Sequence, residues 1–210
     1  MSLLILNGSP RAPRSNSKRY AEAFCRYWRG TVETESLLRG DVNALCAKNG
    51  AADQVLLVFP LYADGLPTVL LSFLKAWAQS MGEKKPTVSV LINCGFYEPE
   101  QNRVAVDMVR LFCKQTGCPF GSVVGLGRGG GHFRTALPLL AEPPFRFLVG
   151  RKLRKLAGAM ASGRAVSLLC TMPISKGMFL RASTTYWTRY GQRFGRTAAE
   201  LDTMDIEEGA

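Results

Sequence analysis

The 210 residues, 47% hydrophobic and 20% charged, provide enough chain for one ordinary domain with a full core and no disulfide or metal staples. A single histidine and six cysteines without a Cys-x-x-Cys pair argue against a zinc or iron–sulfur site. The formal net charge of +11 would attract a polyanion or a phosphorylated small molecule alike, but no nucleic-acid-binding module accompanies it. Met1 to Leu6 has no basic leader, and longer apolar stretches are broken by charge, Gly or Pro, so the expectation is a soluble, cytoplasmic chain with free thiols.

Taken in order, Leu3 to Leu6 reads as a buried strand closed by Asn7-Gly8. Ser15 or Asn16 can cap a helix whose Tyr20, Phe24 and Trp28 share one face, with Gly30 ending it. Val32 to Leu38 alternates like a strand near a sheet edge, and Gly40 to Gly50 is a polar connection with room for a short helix. Gln54 to Phe59 is almost wholly apolar, as a parallel strand covered on both faces should be. Pro67 then opens a helix burying Leu70, Phe73, Leu74 and Trp77. Val88 to Asn93 is the next strand, Asn102 to Thr116 a helix stopped by Gly117, and Phe120 to Leu126 the fifth strand.

Strands alternating with helices predict a five-stranded parallel sheet in a three-layer α/β sandwich. The expectation is a single domain over 1–210, its core about 1–126, with extra C-terminal helices. These are a basic helix around Phe147 to Met160 and a last one about Met178 to Phe194, with a strand-like Ala165 to Thr171 between them. The last helix carries Phe179, Ser183, Tyr186, Trp187, Tyr190 and Phe194 on one face. That stripe reads as core or subunit contact in preference to a membrane-surface helix.

In an open parallel sheet, ligands bind at the carboxyl ends of the strands. Three strand ends here are unusual. Gly8 to Ser17, GSPRAPRSNS, offers hydroxyls, an amide and two arginines before a helix start, which is either an anion cradle or a capped βα turn. FPLYADGLP, Phe59 to Pro67, is an apolar and aromatic turn, and NCGFYE, Asn93 to Glu98, combines glycine with polar groups. Gly125 to Gly130 fits G-x-G-x-x-G literally, but Pro138, Pro143 and Pro144 interrupt what should be a helix, so it reads as a loop, with His132 exposed or structural. Cys94 reads as a small packing residue.

These three motifs, in this order, resemble those of the flavodoxin-like NAD(P)H-dependent FMN reductases and quinone reductases, over roughly Leu3 to Leu126. The resemblance implies FMN with its phosphate at Ser9, Arg11, Ser15, Asn16 and Ser17. It places the ring against Pro60, Leu61, Tyr62 and Ala63, and the pyrimidine edge at Asn93, Gly95 and Phe96. NADPH or NADH would be co-substrate, and a quinone, nitro- or azo-aromatic compound or flavin the acceptor. Flavin supplies the hydride chemistry, so no catalytic side chain is expected. The resemblance also implies a homodimer whose partners are small molecules, without nucleic acid or membrane. The alternatives are a flavodoxin-type electron carrier without NAD(P)H turnover, disfavoured by the basic chain and the GSPR loop, and a scaffold that has lost its cofactor.

Overall fold

A computed structural model gives the conformation of residues 1–12, 14–127, 143–171 and 173–203. The apolar runs become hydrogen-bonded neighbours: β1 (Ser2–Asn7), β3 (Gln54–Pro60), β4 (Thr87–Asn93) and β5 (Phe120–Leu126) lie side by side, with β2 (Thr31–Ser36) outside β1. The sheet order is β2-β1-β3-β4-β5-β6, every pair parallel. Its first five strands have the order of flavodoxin, and the order reverses between β1 and β3. The expected five-stranded sheet is corrected to six. β6 (Ser167–Cys170) pairs with β5, where Val123 N–H donates to Val166 at 2.7 Å and Gly127 N–H to Cys170 at 2.8 Å. This edge strand, where the sequence reads a strand-like Ala165 to Thr171, is four residues long and half exposed, so it lacks the continuous apolar run that marked β1, β3 and β4.

The helices are α1 (Asn16–Cys25), α2 (Val42–Ala51), α3 (Thr68–Gln79), α4 (Arg103–Thr116), α5 (Pro143–Ala161), α6 (Lys176–Gln192) and α7 (Ala198–Asp202). α1 is shorter than its apolar spacing suggested. Trp28 lies beyond its end but is still buried, stacked on Phe24 with Nε1–H donating to Thr31 O. Pro67 sits at the cap of α3, one residue before the first turn, and Gly117 ends α4 at φ +75°, the left-handed conformation that favours glycine.

Side chains alternate across the sheet. Leu4, Leu6, Val55, Leu57, Phe59, Val88, Val90 and Ile92 join one core with α2, α3 and α4, centred on Phe73, Trp77 and Phe112. Leu3, Ile5, Leu56, Val58 and Leu91 are as deeply buried and point to the other side, toward α1 and α5. A register shift between Val88 and Val90 is bridged by side chains: Ser89 Oγ accepts from Ser122 N–H, and Ser122 Oγ reaches Arg164 O and Val166 N in front of β6.

The chain divides into two compact units. One contains the six-stranded sheet with α1 to α5; the other contains α6 and α7. In the second, Leu201 of α7 rests on Gly191 of α6, where a Cβ would lie 2.5 Å from Leu201 Cδ1. Thr197 and Glu200 cap α7 reciprocally. No helix among the described residues is long and apolar enough to cross a membrane.

Candidate functional site

The three unusual strand ends meet. β1, β3 and β4 are adjacent, so the loops leaving their carboxyl ends start side by side at the reversal of strand order, and hydrogen bonds join each pair. Gly8 N–H donates to Val58 O at 2.9 Å, Leu61 N–H to Asn93 O at 2.8 Å, and Ser17 Oγ–H to Asn93 Oδ1 at 3.2 Å. The last contact spans 76 residues of sequence and ties the start of α1 to the end of β4.

The first loop is built around two buried polar residues. Asn7 Oδ1 accepts from Ser9 N–H at 3.0 Å, while Asn7 Nδ2 donates to Ser15 Oγ at 3.4 Å. Ser9, 2% exposed, accepts from Arg11 N–H. Ser15 caps α1 by accepting from Lys18 N–H at 3.1 Å, so the N–H groups of Asn16 and Ser17 precede the first intrahelical bond at the positive end of the helix. Arg11 and Arg14 are exposed and form no salt bridge among the described residues. Gly8 serves packing: a Cβ there would crowd Leu70 and Phe59 at 3.2 and 3.3 Å.

After β3, Tyr62 and Gly65 exchange backbone hydrogen bonds at 3.2 and 2.8 Å around Ala63 and Asp64, both at positive φ, 43° and 55°. This is a type I′ turn with two side-chain-bearing residues where glycine or asparagine is usual. Leu61 packs against the core below, whereas Tyr62 stands 43% exposed and Ala63 is exposed. After β4, Gly95 has open space where a Cβ would be, and Phe96 is 51% exposed. Cys94 is buried with its Sγ near the carbonyls of Phe96 and Glu98.

Asn102 is a structural residue that motif reading missed. From the helical turn Pro99–Asn102 its Nδ2 donates to Pro99 O at 2.9 Å and Leu126 O at 3.4 Å, holding the third loop to the end of β5. Thr171 donates to Tyr97 O from the end of β6, and an open cleft of about 330 Å³ runs between that loop and β6. Gly125 and Gly127 are explained by packing, since a Cβ would meet Leu169 at 2.9 Å and Tyr97 O at 2.6 Å respectively. Gly129, Gly130 and His132 lie outside the described residues. No metal-ligating cluster of His, Cys, Asp or Glu occurs among the described residues.

Titration follows burial. Tyr20, beneath the loops and next to Cys94 and Cys170, has its phenol pushed well above its usual range by desolvation. Burial also raises the Cys25 and Cys170 thiols, and raises Cys113 to about 12. These thiols are therefore weak nucleophiles at neutral pH.

Strand order and site define a doubly wound flavodoxin-like protein with polar groups and a helix start at its switch point. No family model matches the sequence, and no curated protein matches it. Solved structures share the fold. An FMN-dependent NADH-azoreductase from Bacillus anthracis, solved in complex with FMN, aligns at a TM-score of 0.57 with 11% identity, covering 76% of this chain and 99% of that one. An NAD(P)H:quinone oxidoreductase from Methanothermobacter marburgensis aligns at 0.58 with 17% identity, covering 76% and 96%. A Streptococcus pneumoniae flavodoxin aligns at 0.55 with 17% identity, covering 78% and 99%.

Proposed function

We propose that the chain is an FMN-dependent NAD(P)H oxidoreductase that reduces a quinone, a nitro- or azo-aromatic compound, or free flavin. The observation that carries this reading is the junction of three loops through Asn93, which receives Ser17 Oγ–H on its side chain and Leu61 N–H on its carbonyl. The azoreductase and quinone oxidoreductase names among the structural neighbours support it.

The residues present fit FMN. Ser15 Oγ accepts twice and keeps its own proton to donate, the helix start sets Asn16 and Ser17 at the positive end of the α1 dipole, and Arg11 adds charge. Ser9 completes the phosphate loop by shaping it from inside. The Ser17 hydroxyl is turned to Asn93, so its backbone N–H is what faces an anion. Tyr62 and Ala63, with Pro60 and Leu61 behind them, would support the ring, and Asn93, Gly95 and Phe96 would meet its polar edge. When bound, flavin would take hydride from NADPH or NADH and deliver it to the acceptor. The chain holds the group, orients it and leaves one face open for two substrates in turn.

Purified protein mixed with FMN should turn yellow and lose that colour when NADPH or NADH is added without oxygen. A protein that binds no FMN would defeat the proposal, and one that binds FMN but turns over neither nucleotide would favour an electron carrier. The resemblance also points to a homodimer, which light scattering over a micromolar dilution series tests.

A further inference from the structure

The positive charge of the chain is gathered into one layer. Residues 1–30 and 143–171 carry twelve of the 27 basic residues and one of the 16 acidic ones, Glu22. The rest of the chain has fifteen of each sign, so the whole net charge of +11 belongs to these two segments. They are far apart in sequence, but α1 and α5 pack together on the same face of the sheet, where Gln54 Nε2 of β3 donates to Met160 O of α5 at 2.8 Å. The charges point away from that sheet. α1 buries Tyr20, Ala21 and Phe24, while Lys18, Arg19 and the capping Arg26 are exposed. α5 buries Val149, Leu153 and Leu156, while Arg151, Arg154 and Lys155 are exposed. Among the described residues of both segments, the single ion pair is Lys18 with Glu22 at 3.8 Å, which leaves the other cations without a carboxylate.

Two aromatic rings stand among these cations. Tyr27, 37% exposed, follows α1, and its Oη lies 2.8 Å from where a Cβ on Gly150 would be, so the end of α1 is seated on α5. Phe147, 65% exposed, is about one turn before Gly150, and the Arg151 guanidinium stands 5.8 Å from its ring centroid. The sequence shows no aromatic and basic motif here, because these parts meet only in the fold. A bilayer needs an apolar strip to enter hydrocarbon, and on the outward side of α5 Phe147 is alone with Arg151, Arg154, Lys155 and Gly158. The carboxylates of an acidic protein would meet the cations and leave the rings unused. Single-stranded nucleic acid uses both, with phosphates on the cations and unstacked bases on the rings, whereas a duplex keeps its bases stacked inside.

We infer that the α1–α5 surface binds single-stranded nucleic acid without reading its sequence, through Arg151, Arg154 and Lys155 on phosphates and Tyr27 and Phe147 on bases. This surface stands apart from the flavin proposal, because none of these five residues is assigned to FMN.

The test follows the fluorescence anisotropy of labelled oligothymidylate and oligouridylate, each about twelve nucleotides long, on adding the full chain. The tighter of the two distinguishes DNA from RNA as the source. Binding should weaken about twentyfold between roughly 0.05 and 0.2 M salt, the loss for three neutralised phosphates on a single strand. Arg151→Gln with Arg154→Gln and Lys155→Gln should remove most of that salt dependence. Phe147→Ala should weaken binding at least about fivefold, the lower end for one lost base stack, with the salt dependence and the unfolding midpoint unchanged. Excess FMN should not displace the oligonucleotide. Wild-type affinity in Phe147→Ala overturns the inference, as does displacement by FMN, which would move the strand to the first loop. So does inorganic polyphosphate, polyglutamate or a duplex of the same length bound as tightly as the single strand, since charge alone would then account for binding.

Discussion

Ser15 shows how one side chain serves fold and site together. Its oxygen caps α1 through Lys18 N–H and anchors the buried Asn7 amide, and in the proposed site its proton would be donated to the phosphate. Ser15→Ala should lower stability by about 1 kcal/mol in urea unfolding, the usual loss for an N-cap, and should weaken FMN binding further than that loss alone explains. Ser15→Thr should restore most of both. An alanine variant that keeps wild-type FMN affinity would remove Ser15 from the phosphate site. Asn49 is the reverse case. It is fully buried on α2, and neither its Nδ2 nor its Oδ1 has a partner among the described residues. Replacing it with Leu, similar in size and apolar, should raise stability by about 1 kcal/mol. A midpoint that fell instead would show that the amide is hydrogen-bonded in solution.

At the scale of elements, the amino end of the sheet is tied by one carboxylate. Asp53, just before β3, accepts from Ser2 N–H at 2.8 Å and Ser2 Oγ at 3.1 Å at the start of β1, and pairs with Lys84 Nζ at 2.9 Å. Those bonds, the Ser2 backbone N–H first, hold its pKa down from 3.8 to about 2. The folded value is the lower one, so the stabilisation is complete above the unfolded pKa and disappears as pH falls through the folded one. Asp53→Asn should therefore be less stable than wild type at neutral pH, with the difference shrinking as pH falls from about 4 toward 2. A difference constant with pH would assign the effect to geometry and not to charge. This tie was invisible in the sequence, because Asp53 and Ser2 are separated by 51 positions and neither belongs to a motif. What the sequence did make legible were the central strands, whose long apolar runs are the direct signature of burial on both faces. The strand-like Ala165 to Thr171 was legible too and forms β6, but its place beside β5 was not, because it rests on backbone bonds that any sequence could make, and α7, five residues long, is too short for periodicity to show.

The same distinction holds at the site. The loops after β1, β3 and β4 were legible because glycine, serine and proline cluster there, whereas Asn7 and Asn102, which hold those loops in position, are single amides. The turn at Ala63 and Asp64 was not legible either, since alanine carries no signal for positive φ. Non-glycine residues held in that region are destabilising, and such strain gathers where ligands bind. Asp64→Gly should raise stability of the free protein by about 0.5–1 kcal/mol. If the turn is held for the ring, the same change should loosen FMN; unchanged affinity would mean that the strain has no part in binding.

For the molecule as a whole, a positive chain and a positive loop raise the question of whether phosphate is recognised specifically or merely attracted. The net charge of +11 acts on any anion and is screened by salt, whereas Ser15, the α1 start and Arg11, in the proposed site, would act on a phosphate in one place. Ligand that binds only the folded state stabilises it by about 2.7 kcal/mol at a hundred times its Kd. In a chain of this size that corresponds to a rise of roughly 5–10 °C in Tm. FMN should produce this shift at moderate salt. Riboflavin has the same ring without the phosphate, and should give a much smaller one at equal concentration. Ser15→Ala should bring the FMN shift down toward the riboflavin value and leave the riboflavin shift nearly unchanged. Equal shifts from FMN and riboflavin would show that the ring pocket alone holds the cofactor, and the first loop would then be an ordinary capped turn.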